Sequence, residues 1–212
     1  MQEFHYHAPR TLKEAIALLS RPGARPLAGG TDLITQIRER RRLVGDVVDL
    51  KRVPELTALI RAEDGSWSIG GAVSVGELGR NSRFASECTA VLEAAQLIGS
   101  LQIQNRAGLG GNICNAAPSA DGVPLLICLD AMAELDGPGD RRTVPVSSIA
   151  CGPGRTSLAA GEFLVSIRLP MLRERSSAKY LRFTPRREMD IAIAGVGAWF
   201  ELDADGVITE AR

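Results

Sequence analysis

The sequence predicts an α+β fold, and three observations support this. Stretches of alternating apolar and polar residues, typical of strands, alternate with helical spacing in the first quarter of the chain. Later stretches predict strands joined by short turns. Two glycine-rich turns, "LAGGTD" at 27–32 and "AGLGGN" at 107–112, interrupt the pattern. With 212 residues, 45% of them hydrophobic, the chain is large enough for one large domain or two modest ones.

The first elements have clear boundaries. "FHYHAP" predicts a short strand that ends at Pro9, and "TLKE" predicts a helix start with Thr11 as N-cap and Glu14 reaching back. "LAGGTD" then leads into a helix, "LITQIRERRR", whose apolar residues share one face. "VGDVVDLKRVPEL" predicts a buried strand followed by a helical turn.

The middle of the chain predicts two strands in "LIRAEDGSWSIGGAVSVGEL", joined by a turn at Asp64 and Gly65. We expect one long helix from Ser86 to Ile98, and "GVPLLICLDAMAEL" predicts a helix that runs into a strand. "RRTVPVSSI" and "EFLVSIRLP" predict two further strands.

A domain boundary is predicted in the polar link "RERSSAK". The strand pattern that follows needs covering elements, so we expect the chain to stop inside its last domain. The boundary separates residues 1–173 from residues 174–212.

Composition excludes several classes of function. The formal net charge is zero, which argues against binding nucleic acid or an anionic membrane through bulk electrostatics. The sequence shows no signal-peptide pattern and no apolar run of membrane-span length, so we expect a cytoplasmic protein. The irregular spacing of the cysteines predicts buried thiols in a reducing compartment and no metal site: Cys88, Cys114, Cys128 and Cys151.

The two glycine turns share the same backbone properties. Adjacent glycines allow positive φ values and let a ligand approach the backbone, and successive amides in such turns form an anion-binding nest. In the first turn, Thr31 lies where a helix should begin, and Asp32 is expected to cap that helix.

Neither turn has a common nucleotide-binding signature. A P-loop requires a Lys after its last Gly, and the Rossmann pattern requires a third Gly that is missing after Gly108 and Gly110. Two interpretations remain, which are a cradle for a diphosphate built from both turns and ordinary turn glycines.

The combination of "PLAGGTDLI" and, further on, "NRAGLGGNICNAAPSAD" resembles the FAD-binding subunits of the molybdenum hydroxylases. These include the medium subunit of carbon monoxide dehydrogenase and the flavin subunit of xanthine dehydrogenase. "FHYHAP", "SIGGAVSVGEL", "LVSIRLP" and "RFTPRREMDIA" add to the resemblance. It implies a two-lobed FAD-binding domain of the vanillyl-alcohol-oxidase/PCMH type, with α/β lobes: an N-terminal lobe at 1–54 and a second lobe at 55–173. The start of a small α+β C-terminal domain at 174–212 would follow and continue past Arg212.

The resemblance also implies that both turns hold the pyrophosphate of FAD. Asn112 would bond a phosphate or ribityl oxygen, and Asp121 would accept from a ribose or ribityl hydroxyl. Ile98 and Leu164 would pack on the ring systems, and Arg182 would favour negative charge on the reduced flavin. The remaining implied contacts are Leu27, Ala28, Gly29, Gly30, Thr31, Asp32, Leu33, Gly108, Leu109, Gly110, Gly111 and Cys114.

Two details refine the expected cofactor site. Gly108 stands where relatives commonly carry Thr or Ser, so one hydroxyl donor is lost. Neither turn contains His, so we expect FAD to be bound non-covalently. No catalytic residue is predicted in this chain, because no Ser-His-Asp or Cys-His set can be assembled from it.

The implied partners are a large molybdopterin subunit and a small subunit with two [2Fe–2S] clusters, assembled as a dimer of heterotrimers. FAD would accept electrons from the clusters and pass them to NAD or a quinone. Two alternatives remain open, which are a self-sufficient FAD-dependent oxidase or dehydrogenase of the same fold and a flavin-free assembly subunit.

Three further groups carry less weight as functional candidates. His5 and His7 alternate on a strand. "RERRR" at 38–42 is interpreted as a solvated helix face, with a docking patch as the alternative. For Arg186 and Arg187, a structural ion pair and a redox role are both open.

Overall fold

The computed structural model describes residues 3–186 and 189–212, so the predicted role of Arg187 lies outside the described residues. The N-terminal lobe is a small parallel sheet with helices between its strands. Its strand order is β1-β3-β2, which leaves β2 at an edge. Its elements are β1 (His5–His7), α1 (Leu12–Leu19), β2 (Arg25–Leu27), α2 (Leu33–Arg38) and β3 (Asp46–Asp49).

The two predicted helix caps of this lobe have different outcomes. Thr11 Oγ1 accepts from the backbone N–H of Glu14 at 3.2 Å, and Glu14 accepts from the backbone of Arg10, which confirms the first cap. The predicted cap by Asp32 is wrong, because its backbone is already helical and its side chain makes no capping hydrogen bond. The start of α2 is therefore left without a side-chain cap.

The second lobe is an antiparallel sheet of order β4-β5-β10-β6-β7 with helices packed against it. Its helices are α3 (Pro54–Thr57), α4 (Val75–Arg80), α5 (Ser82–Glu87), α6 (Thr89–Ala95), α7 (Leu101–Gln104), α8 (Leu109–Asn115) and α9 (Val123–Cys128). Its strands are β4 (Leu59–Arg61), β5 (Trp67–Gly70), β6 (Met132–Asp136), β7 (Arg142–Pro145), the small pair β8 (Ala150–Gly152) and β9 (Arg155–Thr156), and β10 (Phe163–Leu169).

The prediction of one helix from Ser86 to Ile98 is wrong. Asn81 caps an earlier helix, accepting from the backbone N–H of Phe84 at 2.9 Å, and the backbone leaves helical geometry at Cys88. The chain therefore forms α5 and α6, and Ile98 lies beyond the end of α6. Val91, Leu92 and Ala95 of α6 are buried in the core of the second lobe.

A three-stranded antiparallel sheet follows, with strands β11 (Ser176–Phe183), β12 (Ala194–Leu202) and β13 (Ile208–Ala211). Tyr180 and Trp199 bury their rings in the core of the second lobe. The backbone of Gly197 lies so close to α9 that a Cβ there would be 2.7 Å from the carbonyl carbon of Pro124. One face of this sheet thus packs on the second lobe, and the other exposes apolar side chains: Leu181, Phe183, Val196, Phe200, Leu202 and Ile208.

The two lobes share part of their core. Leu19 of α1 and Val48 of β3 pack in one cluster with Phe163 and Val165 of β10. This shared packing fixes the lobes against each other and leaves a cleft between them. Within the described residues, no helix is long and apolar enough to cross a membrane.

Candidate ligand-binding cleft

The cleft between the lobes has a volume of about 450 Å³, within the range of small-molecule and cofactor sites. One wall is the turn that follows β2 and the start of α2. The facing wall is the start of α8, together with the segment at 154–164. Both glycine turns therefore border the same space, as the sequence predicts.

The two turns also touch each other. A Cβ at Gly29 would lie 2.6 Å from the carbonyl oxygen of Arg106, and the Arg106 Nε–H donates to the Gly29 carbonyl oxygen at 3.4 Å. A second link joins the helices that follow the turns, where the Gln36 side-chain amide donates to Asn115 Oδ1 at 3.4 Å. The convergence of two segments far apart in sequence is thus fixed by close backbone packing.

The glycines of the second turn have different surroundings. A Cβ at Gly108 would collide with the carbonyl oxygen of Val73, and one at Gly110 with that of Gly71. A Cβ at Gly111 would meet no atom within 4 Å, and this residue lines the cleft. Gly108 and Gly110 are therefore needed for packing, whereas Gly111 leaves space for a ligand. The interpretation as structural glycines fits Gly108 and Gly110, and the diphosphate cradle stays a prediction.

Each glycine turn leads into the first turn of a helix, and residues of both helix starts line the cleft. The first turn of a helix has amides with no acceptor inside the helix. The N-cap residue of α8 is Gly108, which has no side chain, and the N-cap residue of α2 is Asp32, whose side chain makes no capping hydrogen bond. In the first turn, Gly30 has φ +79°, the left-handed conformation that glycine adopts without strain. An anionic group is the ligand that such donors accommodate best.

Most of the predicted site residues line the cleft. They are Leu27, Ala28, Gly29, Gly30, Thr31, Asp32, Leu33, Ile98, Gly108, Gly110, Gly111, Asn112, Cys114 and Leu164. Leu109 lies in the hydrophobic core of the second lobe instead. Asn112 Oδ1 accepts from the backbone N–H of Gly122 at 3.1 Å, which leaves its amide N–H groups as donors.

Asp121 and Arg182 are outside the lining and contact each other. Arg182 donates to Asp121 Oδ2 at 2.9 Å and to the carbonyl oxygen of Leu97 at 3.2 Å, next to Ile98. The Tyr180 hydroxyl donates to Asp121 Oδ1 at 3.0 Å. Burial raises the pKa of Asp121 although Arg182 acts in the opposite direction, and burial with the charge of Asp121 raises the pKa of Tyr180 to about 12. This cluster joins β11 to the second lobe beside one end of the cleft.

Two arginines of the cleft were not predicted as site residues. Arg25 and Arg42 both line it. The interpretation of "RERRR" as a helix face is wrong for Arg42, because α2 ends at Arg38 and Arg40 has a positive φ. No local pattern signals this placement, since it depends on how the segment returns to β3.

Two of the other candidates make structural contacts. His7 Nε2 lies 2.6 Å from Asp46 Oδ1 on the neighbouring strand β3, and Arg186 pairs with Asp190 and donates to the Met189 carbonyl oxygen. No group of three or more His, Cys, Asp or Glu residues in the described chain is placed to hold a metal ion.

All four cysteines are free thiols, and Cys88 is buried, which raises its pKa to about 12. The expectation that all four are buried is wrong for Cys151. That residue is exposed on the short strand β8.

The fold and the cleft define a two-lobed binding domain that holds its ligand between paired glycine turns. Residues 2–172 match the family described as FAD binding domain in molybdopterin dehydrogenase. The chain belongs to this family, which confirms the resemblance predicted from the two glycine motifs. It is therefore an FAD-binding component of an oxidoreductase.

Named relatives agree with this assignment. The chain is 37% identical over 209 residues to the xanthine dehydrogenase FAD-binding subunit of Escherichia coli O157:H7, covering 98% of this chain and 71% of the relative. It is 35% identical over 195 residues to the carbon monoxide dehydrogenase medium chain of Hydrogenophaga pseudoflava, covering 91% of this chain and 67% of the relative.

Solved structures show the same fold. Carbon monoxide dehydrogenase from Hydrogenophaga pseudoflava, in a form that lacks the Mo-pyranopterin moiety of its cofactor, matches with a TM-score of 0.92 and 30% identity. The match covers 100% of this chain and 73% of that one. Quinoline 2-oxidoreductase from Pseudomonas putida 86 has a TM-score of 0.92 at 26% identity, with the same coverage. The predicted two-lobed fold of the PCMH type is thereby confirmed.

Proposed function

We propose that this chain is the flavoprotein subunit of a molybdenum hydroxylase complex. In this role it accepts electrons from iron–sulfur clusters of a partner subunit onto FAD and passes them to an acceptor such as NAD or a quinone. The observation that carries the proposal is the convergence of the two glycine turns on one cleft, with the Gly111 position open to it.

The residues of the cleft fit FAD. Backbone amides at 28–32 and at the start of α8 would hold the diphosphate, and the free N–H groups of Asn112 would donate to a phosphate or ribityl oxygen. The side chains of Ile98 and Leu164 offer an apolar surface to a ring system. When bound, FAD accepts electrons one at a time and delivers two together. The chain itself would position the flavin and set the electrostatic field around it.

Asp121 and Arg182 act at the Ile98 end of the cleft. The positive charge of Arg182, held by Asp121 and the Leu97 carbonyl, would favour negative charge on a reduced ring nearby. Both Asp121 oxygens already accept one hydrogen bond, and each retains capacity for another, as a contact with a ribose or ribityl hydroxyl requires.

The partners in this proposal are a large molybdopterin subunit and a small subunit with two [2Fe–2S] clusters, in a dimer of heterotrimers. This assignment is based on the relatives of this chain that are named above, a xanthine dehydrogenase FAD-binding subunit and a carbon monoxide dehydrogenase medium chain. Free thiols throughout the described chain are consistent with a reducing compartment, and we place the complex in the cytoplasm.

The test is purification of the native complex, followed by denaturation and analysis of the released flavin, molybdenum and iron. We expect stoichiometric FAD together with both metals. In a matched complex carrying Gly111→Leu, the added side chain would fill the cleft, so FAD should be lost while molybdenum and iron remain.

Three results would contradict the proposal. Absence of FAD in a native complex with full metal content would favour a flavin-free assembly subunit. Turnover of an alcohol by the isolated chain would favour a self-sufficient oxidase. Unchanged FAD content in Gly111→Leu would place the cofactor outside this cleft.

A further inference from the structure

Two arginines lie together at one end of the cleft, away from the glycine turns. Arg25 is the first residue of β2 and pairs in register with Val47, the second residue of the parallel strand β3. Arg42 precedes β3 by a few residues, so both arginines lie at the amino-terminal edge of this sheet. The glycine turn at 28–32 follows the opposite, carboxyl-terminal end of β2.

Within the described part of the chain, neither arginine side chain has an ion-pair partner, although many other arginines of this protein do. Exposed Arg168, for example, contacts Asp64 at 2.7 Å. Arg42 is half-buried, and both its burial and the nearby charge of Arg25 lower its pKa. A partly desolvated cation beside a like charge is unfavourable until a ligand supplies acceptors. This unfavourable free energy indicates that the two side chains bind a ligand that enters the cleft.

The position of the two arginines relative to the other cleft residues indicates which part of the ligand they contact. The glycine turns are assigned to the diphosphate, and Ile98 and Leu164 to the flavin ring system. The adenosine half of the dinucleotide would then lie at the amino-terminal edge of the first sheet, because the other parts of the cleft are already assigned. A guanidinium group stacks on an aromatic base and donates to phosphate oxygens and to the ring-nitrogen acceptors of adenine.

We propose that Arg25 and Arg42 bind the adenosine monophosphate half of FAD and make the chain select FAD over FMN. The inference rests on the proposed function, because it takes FAD as the ligand of this cleft. It adds a specificity site formed by side chains to the backbone cradle formed by the turns.

The experiment measures dissociation constants of FAD, FMN and ADP for the flavin-depleted native complex, by flavin fluorescence and calorimetry. The variants are Arg25→Gln, Arg42→Gln and the double variant, and Arg168→Gln is the matched control outside the cleft. Each single variant should weaken FAD and ADP about tenfold, the loss of one charge-assisted contact. FMN affinity should change less than about twofold, because FMN lacks the contacted half.

The outcomes separate this inference from the proposed function. If the wild type binds FAD and the double variant binds it equally well, the inference is overturned and the proposed function stands. An equal loss of FMN and FAD affinity also overturns it, because the arginines would then act on the flavin half. A wild type that binds neither FAD nor ADP removes the proposed function itself. Should Arg42→Gln fail to fold, Arg25→Gln, at an exposed position, provides the same comparison.

Discussion

Gly110 and Gly111 are neighbours in the sequence but face different surroundings. The Gly110 α-carbon packs against the backbone of Gly71, in the strand-to-helix connection that follows β5, and the Gly111 α-carbon faces the cleft. The same residue type therefore serves packing at one position and ligand access at the next. This difference is measurable in the protein without its cofactor.

Alanine substitutions should have opposite effects at these two positions. Gly110→Ala would force a Cβ into the carbonyl oxygen of Gly71 and should lower the free energy of unfolding by about 1–3 kcal/mol. Gly111→Ala should raise it by about 0.5–1 kcal/mol, because alanine favours a helix over glycine and the position has space. Chemical denaturation of the flavin-free protein checks both values. Equal destabilisation by the two substitutions would contradict the described geometry.

At the scale of elements, Glu87 joins α5 to two strands of the second sheet. Its carboxylate accepts from Arg61 of β4 at 2.6 Å, from the Trp67 indole of β5 at 3.0 Å and from Arg83 at 2.9 Å. The hydrogen bonds from Arg83, Arg61 and Trp67 lower the pKa of Glu87 to about 2. The helix and the sheet are thus connected by one ionised group.

This cluster predicts an acid dependence of stability. The folded-state pKa lies below the ordinary value of 4.5, so the ionised carboxylate stabilises the fold above that pH. The contribution is lost as the pH falls from about 4.5 towards 2. We expect Glu87→Gln to be less stable than the wild type at pH 6 to 7, with the difference shrinking on acidification. Urea denaturation at a series of pH values measures this, and a constant difference across the series would refute the role of Glu87.

Of the two helix caps predicted from local signals, the Thr11 cap is confirmed and the Asp32 cap is wrong. The Thr11 cap involves two residues three positions apart and can be predicted from the sequence. The break at Cys88 was missed because "SECTAVLEAA" has continuous helical spacing. The glycine turns of the site could be predicted from the sequence, because a close approach of two backbone segments requires glycine. Arg42 was not, since its side chain enters the cleft only through the path of the chain from α2 to β3.

At the scale of the whole molecule, the position of one turn against the other depends on the packing of two lobes. The shared cluster of α1, β3 and β10 sets the relative position of the lobes. The contact of Gly29 with the backbone of Arg106 and Ala107 then brings the first turn against the second. The cleft is therefore a property of the assembled lobes, and neither lobe contains it alone.

Gly29→Ala should separate the turns. Its Cβ would lie 2.6 Å from the Arg106 carbonyl oxygen, between two backbone segments that cannot both move without shifting a lobe. We expect FAD affinity to fall at least about tenfold, since cofactor contacts depend on close positioning. Gly45→Ala is the matched control in the same lobe, because a Cβ there meets no atom within 4 Å. Equal FAD dissociation constants for the two variants would show that the turns need not touch.

The most direct test of the whole account is a cryo-electron microscopy structure of the native complex that resolves the FAD diphosphate. The measured quantities are the distances from the diphosphate oxygens to the backbone nitrogens at 29–31 and at 110–112. We predict that both segments place at least one nitrogen within hydrogen-bond distance, about 2.7–3.2 Å. A diphosphate that contacts only one of the two segments, or that lies outside the cleft between the lobes, would contradict the account.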